Sequence, residues 1–417
     1  GNGTSNSSPS AKFTDVGYIR VVLSTTSNSS SINAITDDVK NGFKIWNFGP
    51  DSQVLNALEC GLIGDGATDS TRAFQQALKN VNYYHTTLYL PAGEYIVTGN
   101  LGALLNAQLA GDFANSNYQN GTVIKDQRDT STTGFLLTLT EKFSIKNLVF
   151  IDGSYARECL SQYAGGWEGY IQYVTIMQYG KALKLDKSMD VHVDNLFVNN
   201  CGSADGTMYA LEMTDNSNSC FFSNCHFEHC RYMLKFTGAN ANFFTNCKFE
   251  QSGYGLNQPE LPCIFFQGCI DLVFNSCILV AINADGYTNA GTTPQYYIQT
   301  GGSITNPVNF SACAFICGMG SGDVSTTGKK AAQFITSDTT PFIINGSTVM
   351  DISHDTGINL PTGSILTNNR LNSSTEDGTG TLMKFKKSIC SQNVLANASN
   401  TDISADTDSI VKDNLYI

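Results

Sequence analysis

Along much of this chain apolar and polar residues alternate in short runs, cut off by Asn, Ser, Thr and Gly, and the runs repeat. Asn224-Cys225-His226-Phe227-Glu228 is echoed 22 residues later by Asn246-Cys247-Lys248-Phe249-Glu250. The alternation predicts a strand with Cys225 and Phe227 on one side and His226 and Glu228 on the other. A repeat in the twenties predicts that the second copy lies on the first as the next coil of a stack. Cys247 and Phe249 then fall on Cys225 and Phe227 inside, and Lys248 and Glu250 fall on His226 and Glu228 outside.

Weaker echoes extend the stack. Leu196 lies 29 residues before Cys225, Cys277 lies 30 after Cys247, Cys313 another 36 on, and Ser347 34 beyond that. A second strand repeats in parallel: KALKL from Lys181, YALEM from Tyr209, YMLKF from Tyr232, CIFFQ from Cys263, YYIQT from Tyr296 and AQFIT from Ala332. A constant coil with spacings between 22 and 36 needs turns of different length. Such turns are where a solenoid keeps its binding surface.

Composition fits a stack of turns. Only 14% of residues are charged and 38 are Gly, the usage of tight turns and polar ladders rather than of a helical bundle. Acidic residues outnumber basic ones 36 to 24, a formal charge of −12. That argues against nucleic acid or an anionic membrane surface as partner. No apolar run reaches the roughly 18 residues of a spanning helix, so no membrane insertion is expected. There are thirteen cysteines, and Cys225, Cys247, Cys277 and Cys313 fall at one inward position of successive coils. Most are therefore read as free, buried and reduced, as in a protein assembled in a reducing cytosol.

Residues 1–50 are read as a flexible leader with a small neck, including the strand YIRVVLS from Tyr18. The opening GNGTSNSSPS has no initiator Met and no apolar signal core, as at a processed end. Residues 51–100 form an N-terminal cap. Within it, Gly61 to Asn80 reads as a Gly-rich turn and a helix, N-capped by Asp69, with Ala73, Phe74, Ala77 and Leu78 on its apolar face. TTLYLPAGEYIVTG adds a strand, a turn and a strand. Residues 101–417 are coils to the end, SICSQNVLAN and DSIVKDNLYI included. The last coil leaves an edge that a partner subunit or further chain would cover.

The run GDGATDSTRAFQQAL followed by LYLPAGEY resembles the opening of the pectate-lyase-like right-handed parallel β-helix, found in bacteriophage tailspikes and related polysaccharide-degrading proteins. The resemblance implies an all-β, right-handed parallel β-helix with a capping α-helix over its first coil. It implies no single chemistry, because the fold hosts hydrolases, lyases and inert receptor binders.

The outward patch His226, Glu228, Lys248 and Glu250 is the first candidate site. Coils about 4.8 Å apart make Glu228 and Glu250 near neighbours, and two carboxylates so close push one toward the protonated form. An acid beside a carboxylate near 5 Å is the requirement of a retaining glycosidase. A uronate lyase would instead use His226 or Lys248 as base. The plainer reading is that Lys248 merely neutralises stacked glutamates. A second column, Lys184, Glu212 and Lys235, alternates in sign and reads as a surface ion ladder.

The stretch 152–170 reads as a long turn offering aromatic and charged partners to a sugar: Tyr155, Arg157, Tyr163, Trp167, Glu168 and Tyr170. It reads equally as a turn packed back on its own coil or on a neighbouring subunit. Two further inserted turns carry Tyr254 with Glu260, and Asp285 with Tyr287, and could wall the same groove. Asp205 is an alternative acid, though Asp before Gly is usually a turn residue. Asn283 to Gly286 looks like part of a polygalacturonase motif whose companions are absent. No calcium-binding carboxylate set, P-loop, HExxH, GxSxG or Rossmann fingerprint occurs, so no metal or cofactor is expected.

The expectation from the resemblance is a homotrimeric tailspike-like protein of the virion tail, assembled in the bacterial cytoplasm and joined to other tail proteins through its N-terminus. It would bind and depolymerise a bacterial surface polysaccharide, a capsule or lipopolysaccharide O-antigen. Hydrolysis by Glu228 and Glu250 is the first reading, with Asp205, Glu260 and Asp285 in reserve. A receptor-binding spike without catalysis and a uronate lyase stay open.

Overall fold

A computed structural model describes residues 54–416, apart from 114–120, 164–166, 204–205, 231, 253–261, 283–295, 303–305, 317–332, 338–339, 353–357, 374–382, 386 and 397–402. The leader 1–50 lies outside the described residues, as does its strand from Tyr18. All paired strands are parallel. They form a sheet of 26 strands that turns one corner, and a separate sheet of 12. Each coil thus contributes three strands to a prism: face I (Met189–Asp194, Phe221–Ser223, Phe243–Thr245), face II (Phe197–Asn199, His226–Glu228, Lys248–Ser252) and face III (Lys181–Asp186, Leu211–Thr214, Leu234–Thr237). This is the expected right-handed parallel β-helix. No described helix is long and apolar enough to cross a membrane.

The echo sets the register. His226 pairs with Lys248, Phe227 with Phe249 and Glu228 with Glu250. Phe197 pairs with His226 below, and Lys248 with Ile278 and Ile278 with Ala314 above. The Asn that opens each echo is the corner between faces I and II. Asn195, Asn224, Asn246, Ser276 and Ala312 all sit there at φ of 52–54°. A sharp bend between two short strands needs a left-handed residue, and Asn is among the few side chains that adopt it readily.

The residue after the corner points inward and forms a column of changing chemistry. Cys225, Cys247, Cys277 and Cys313 are buried, and each thiol donates to the carbonyl two residues back at 3.3–3.5 Å. Hydrogen bonding to Cys247, with burial, holds the Cys277 thiol up at about 12. The twelve described cysteines are free and buried. Above them the column becomes Ser347, Asn369, Asn393 and Asn414. The Asn369 and Ser347 amides donate to the side-chain oxygens of the next Asn at 3.0 and 2.8 Å, a ladder that replaces thiols with amides. Inward phenylalanines fill the prism. Phe222, Phe244, Phe274 and Phe310 stack with centroids 4.6–4.8 Å apart.

Face III corrects the second repeat in detail. Leu211 falls on Leu234 as expected, but Met233, not Tyr232, aligns with Cys263, and Ile298 pairs with Ile335. The segments begun at Cys263 and Ala332 are therefore one residue out of frame. In IFF, two adjacent apolar residues fit either face, and a slip of one exchanges inside for outside.

The cap helix spans Thr71–Tyr84, longer than the sequence suggests, and its N-cap is Ser70, not Asp69. Asp69 still does capping work: its Oδ1 accepts from the Thr71 amide at 3.0 Å, while the Ser70 hydroxyl bonds Ile63. Phe74, Ala77, Leu78 and Val81 are buried beneath it, with Ala73 partly buried against the core. The helix occupies the place of a face III strand in the first coil. There Asn82 donates to the Ala103 carbonyl at 2.7 Å and accepts from the Leu105 amide at 2.9 Å. One side chain thus satisfies both polar groups of the otherwise open edge strand Gly102–Leu104 and its flank. Gly93 in the PAGEY turn, at φ 156°, admits no side chain, because a Cβ would lie 2.7 Å from the Gly64 carbonyl oxygen.

Candidate functional site

On face II the period-two alternation turns His226, Glu228, Lys248 and Glu250 outward, and the register brings all four together. The Lys248 ammonium lies 3.2 Å from Glu228 Oε1 and 2.5 Å from Glu250 Oε2, and His226 Nε2 lies 3.5 Å from Glu228 Oε1. One ligating atom each of His226, Glu228 and Glu250 falls within 4.8 Å of the others. The two carboxylates do not face each other bare: the Lys248 cation lies between them, so their repulsion is largely offset. Burial pulls the Lys248 ammonium down, and hydrogen bonds to Glu250 and Glu228 more than reverse this, leaving it above its usual value. Lys248 is therefore a poor base. Burial lowers His226 below the usual imidazole value, against the pull of Glu228. Its Nε2 is shielded from water and lacks a hydrogen-bond partner, so at neutral pH the ring is a neutral base or acceptor beside a fixed ammonium.

On face III the expected column Lys184, Glu212, Lys235 is in register, but its ion pairs run elsewhere. Lys181 bridges Glu158 at 2.8 Å and Glu212 at 3.0 Å, Lys184 reaches Asp186 at 3.3 Å, and Lys235 lies over the Tyr209 ring at 5.6 Å.

The stretch 152–170 is not one turn. After a short turn, Glu158–Tyr163 is a face III strand, and Trp167–Met177 runs along faces I and II. Arg157 is a correction: it is buried, bonded to Asp152 and 3.7 Å from Asp126, beside the fully buried Arg128–Asp126 pair at 2.8 Å. It holds a corner together and does not face a ligand. Nothing nearby in sequence announces this, because one partner, Asp126, lies a coil earlier. Tyr155 is half-buried in a left-handed position. Tyr163, Trp167 and Tyr170 are 58%, 54% and 44% exposed, and Glu168 is exposed as well. Asp205, Tyr254, Glu260, Asp285 and Tyr287 lie outside the described residues.

Sequence reasoning missed an aromatic column on face I. Tyr170, His192, Phe221 and Phe243 stack with centroids 5.0–5.2 Å apart and planes within 8–15° of parallel. The signal was present: each stands three residues before the left-handed corner of its coil. Tyr173, at that corner, meets the exposed Phe113 edge-on at 6.2 Å.

A model of the family described as "Rhamnogalacturonase A/epimerase, pectate lyase-like" matches residues 54–283. No curated protein matches by sequence. Among solved structures, ORF18 of Geobacillus virus E2 is 17% identical with a TM-score of 0.51, over 79% of this chain and 62% of that one. The chain thus spans about 62% of that protein's length. The DFA-IIIase of Arthrobacter chlorophenolicus, solved with DFA-III, is 11% identical with a TM-score of 0.54, over 87% of this chain and 99% of that one. The Dettilon tailspike protein is 10% identical with a TM-score of 0.48, over 93% and 73%. At these identities the likeness is one of fold.

Proposed function

The chain belongs to the rhamnogalacturonase A/epimerase, pectate lyase-like family, and from that premise we propose that it binds and cleaves a polysaccharide by glycoside hydrolysis at Glu228 and Glu250. The observation that carries this reading is the register of two outward carboxylates on adjacent coils, their oxygens within 4.8 Å. That spacing suits a retaining mechanism, in which one carboxyl group protonates the leaving oxygen and the other attacks the sugar; the sugar must displace Lys248 from the first of them for that group to carry its proton. Lys248 lies between them and orients both, and His226 closes one side. Trp167 and Tyr163, with exposed rings, stand two coils lower at the corner between faces III and I, so they would hold a long chain away from the reacting centre and not the sugar being cleaved.

The biological setting argued from the sequence goes with it: a tailspike-like homotrimer of a virion tail, bound through its N-terminus to other tail proteins and acting on a bacterial capsule or O-antigen. The match to a viral protein of the same fold supports this setting. A uronate lyase is the second reading, favoured by a neutral His226 beside a cationic Lys248. In it His226 takes the proton next to the uronate carboxylate and Lys248 neutralises that carboxylate.

Incubation with capsule or O-antigen separates the readings. New saturated reducing ends mean hydrolysis, ultraviolet-absorbing unsaturated ends mean a lyase, and binding without product means a receptor-binding spike. Glu228→Gln and Glu250→Gln should each lower the rate by about 100-fold or more with the circular dichroism spectrum unchanged. Full activity in both variants would remove this site.

A further inference from the structure

Around the acid pair, face II carries charge at one level only. Each coil turns two side chains outward on this face. Going down from His226 and Glu228, the strip shows Phe197, Met177 and Ile151 before the next charge, Lys125. Going up from Lys248 and Glu250, it shows Ile278, Ile316 and Met350 before Arg370. The outward companions of these residues on the same coils are uncharged as well. Ile278 is 42% exposed and Phe197 half-buried, its ring 5.3 Å from that of His226. The four ionisable side chains are thus an island in an uncharged strip. The single cation on that island, Lys248, is already held by both carboxylates.

We infer that the polysaccharide lies along face II, and that the sugars flanking the bond to be cut are uncharged and carry an apolar substituent, the methyl of a deoxy sugar or an acetyl group. The substrate class so named rests on cleavage at Glu228 and Glu250. The direction follows from the acid pair. The two carboxyl groups of a glycosidase flank the bond they cut, one at the anomeric carbon and the other at the leaving oxygen. That bond therefore points from one carboxylate toward the other, and the register sets this line along the stacking axis, Glu228 directly below Glu250. The neighbouring sugars then fall on Phe197 on one side and Ile278 on the other. Their charge follows from what these positions lack. A uronate or sulfate there meets no free cation, in a protein of formal charge −12. A hydroxyl pressed on Phe197 or Ile278 gives up water and receives no hydrogen bond, whereas a methyl or acetyl group gains apolar contact. The same strip disfavours the uronate lyase: Lys248 neutralises one carboxylate and the flanking uronates have no partner.

An array of bacterial capsule and O-antigen polysaccharides tests this, probed with the full chain carrying Glu228→Gln so that bound glycan is not consumed. Signal should be confined to uncharged repeats with deoxy or acetylated sugars, and removing O-acetyl groups with mild alkali should weaken binding to the acetylated ones about tenfold. Ile278→Ser, added to the same chain, should weaken binding about tenfold. Phe197→Ser, on the other side of the acid pair, serves as the independent variant should Ile278→Ser fail to fold by circular dichroism. A preference for polyuronates, acetylated glycans bound equally after alkali, affinity unmoved in the folded variants, or no signal on any polysaccharide each overturns the inference. Products released by the wild type judge the cleavage separately. A glycan held through Ile278 and Phe197 but left intact by the wild type overturns cleavage and leaves the strip standing. A glycan that is cleaved, with affinity unchanged in Ile278→Ser and Phe197→Ser, overturns the strip and leaves cleavage standing.

Discussion

Four side chains at the candidate site illustrate how register turns composition into chemistry. His226 is the one whose titration can be followed. Its pKa is lowered, first by burial, so between that lowered value and the ordinary value near 6.5 the unfolded chain binds a proton that the folded chain does not. Stability therefore rises with pH through this window, and the penalty is fully present below the folded value and absent above about 6.5. His226→Gln should flatten that segment of the stability–pH curve; an unchanged slope would mean the imidazole is not held neutral by the fold. Arg157 belongs at the same scale as the opposite case. Removing one partner of a buried ion network leaves charge unpaired, so Arg157→Ala should cost about 3–5 kcal/mol in urea unfolding. Oligosaccharide affinity of the folded fraction should hold. Trp167→Ala should behave the other way, with stability kept and affinity reduced. A loss of affinity without loss of stability in Arg157→Ala would return this residue to the groove.

At the scale of strands and corners, legibility followed sequence distance and alternation. The face II register was readable because NCHFE and NCKFE carry a polar corner, an inward thiol and an inward ring at fixed offsets, so only one alignment buries both apolar residues. On face III the run Ile264-Phe265-Phe266 has no alternation to anchor it, so two registers one residue apart fit the sequence equally, and the fold adopts the one that pairs Leu234 with Ile264. In the 152–170 segment the aromatics and charges have the look of a binding turn, while its strand character depends on pairing with Lys181–Asp186 and Met189–Asp194. The helix was visible from its apolar face, but its use of Asn82 as a surrogate strand was not, since its partners lie more than twenty residues on. Asn82→Ala should remove both exposed hydrogen bonds, each worth about 1 kcal/mol, and loss of the one from Leu105 should quicken exchange of that amide about fivefold. No change would mean that water already serves this edge.

For the molecule as a whole, the stack is quasi-one-dimensional: each coil touches only the coils above and below, so a perturbation should decay along the axis instead of spreading through a common core. The asparagine ladder offers a clean test. Asn393 Oδ1 accepts from the Asn369 amide at 3.0 Å, and its Nδ2 donates to the buried Leu366 carbonyl at 3.1 Å and to Oδ1 of the half-buried Asn414 at 3.0 Å. Asn393→Ala strands a donor and an acceptor away from water, at about 1–3 kcal/mol each. The loss should appear as faster amide exchange in the coils that contain Asn369, Asn393 and Asn414. The coils carrying His226, Glu228, Lys248 and Glu250 lie several layers away, and they should keep both their protection and any activity. Uniform loss of protection from Leu88 to Tyr416 would show that the solenoid unfolds as one cooperative unit. The site on face II would then depend on every coil of the stack, not on its immediate neighbours alone.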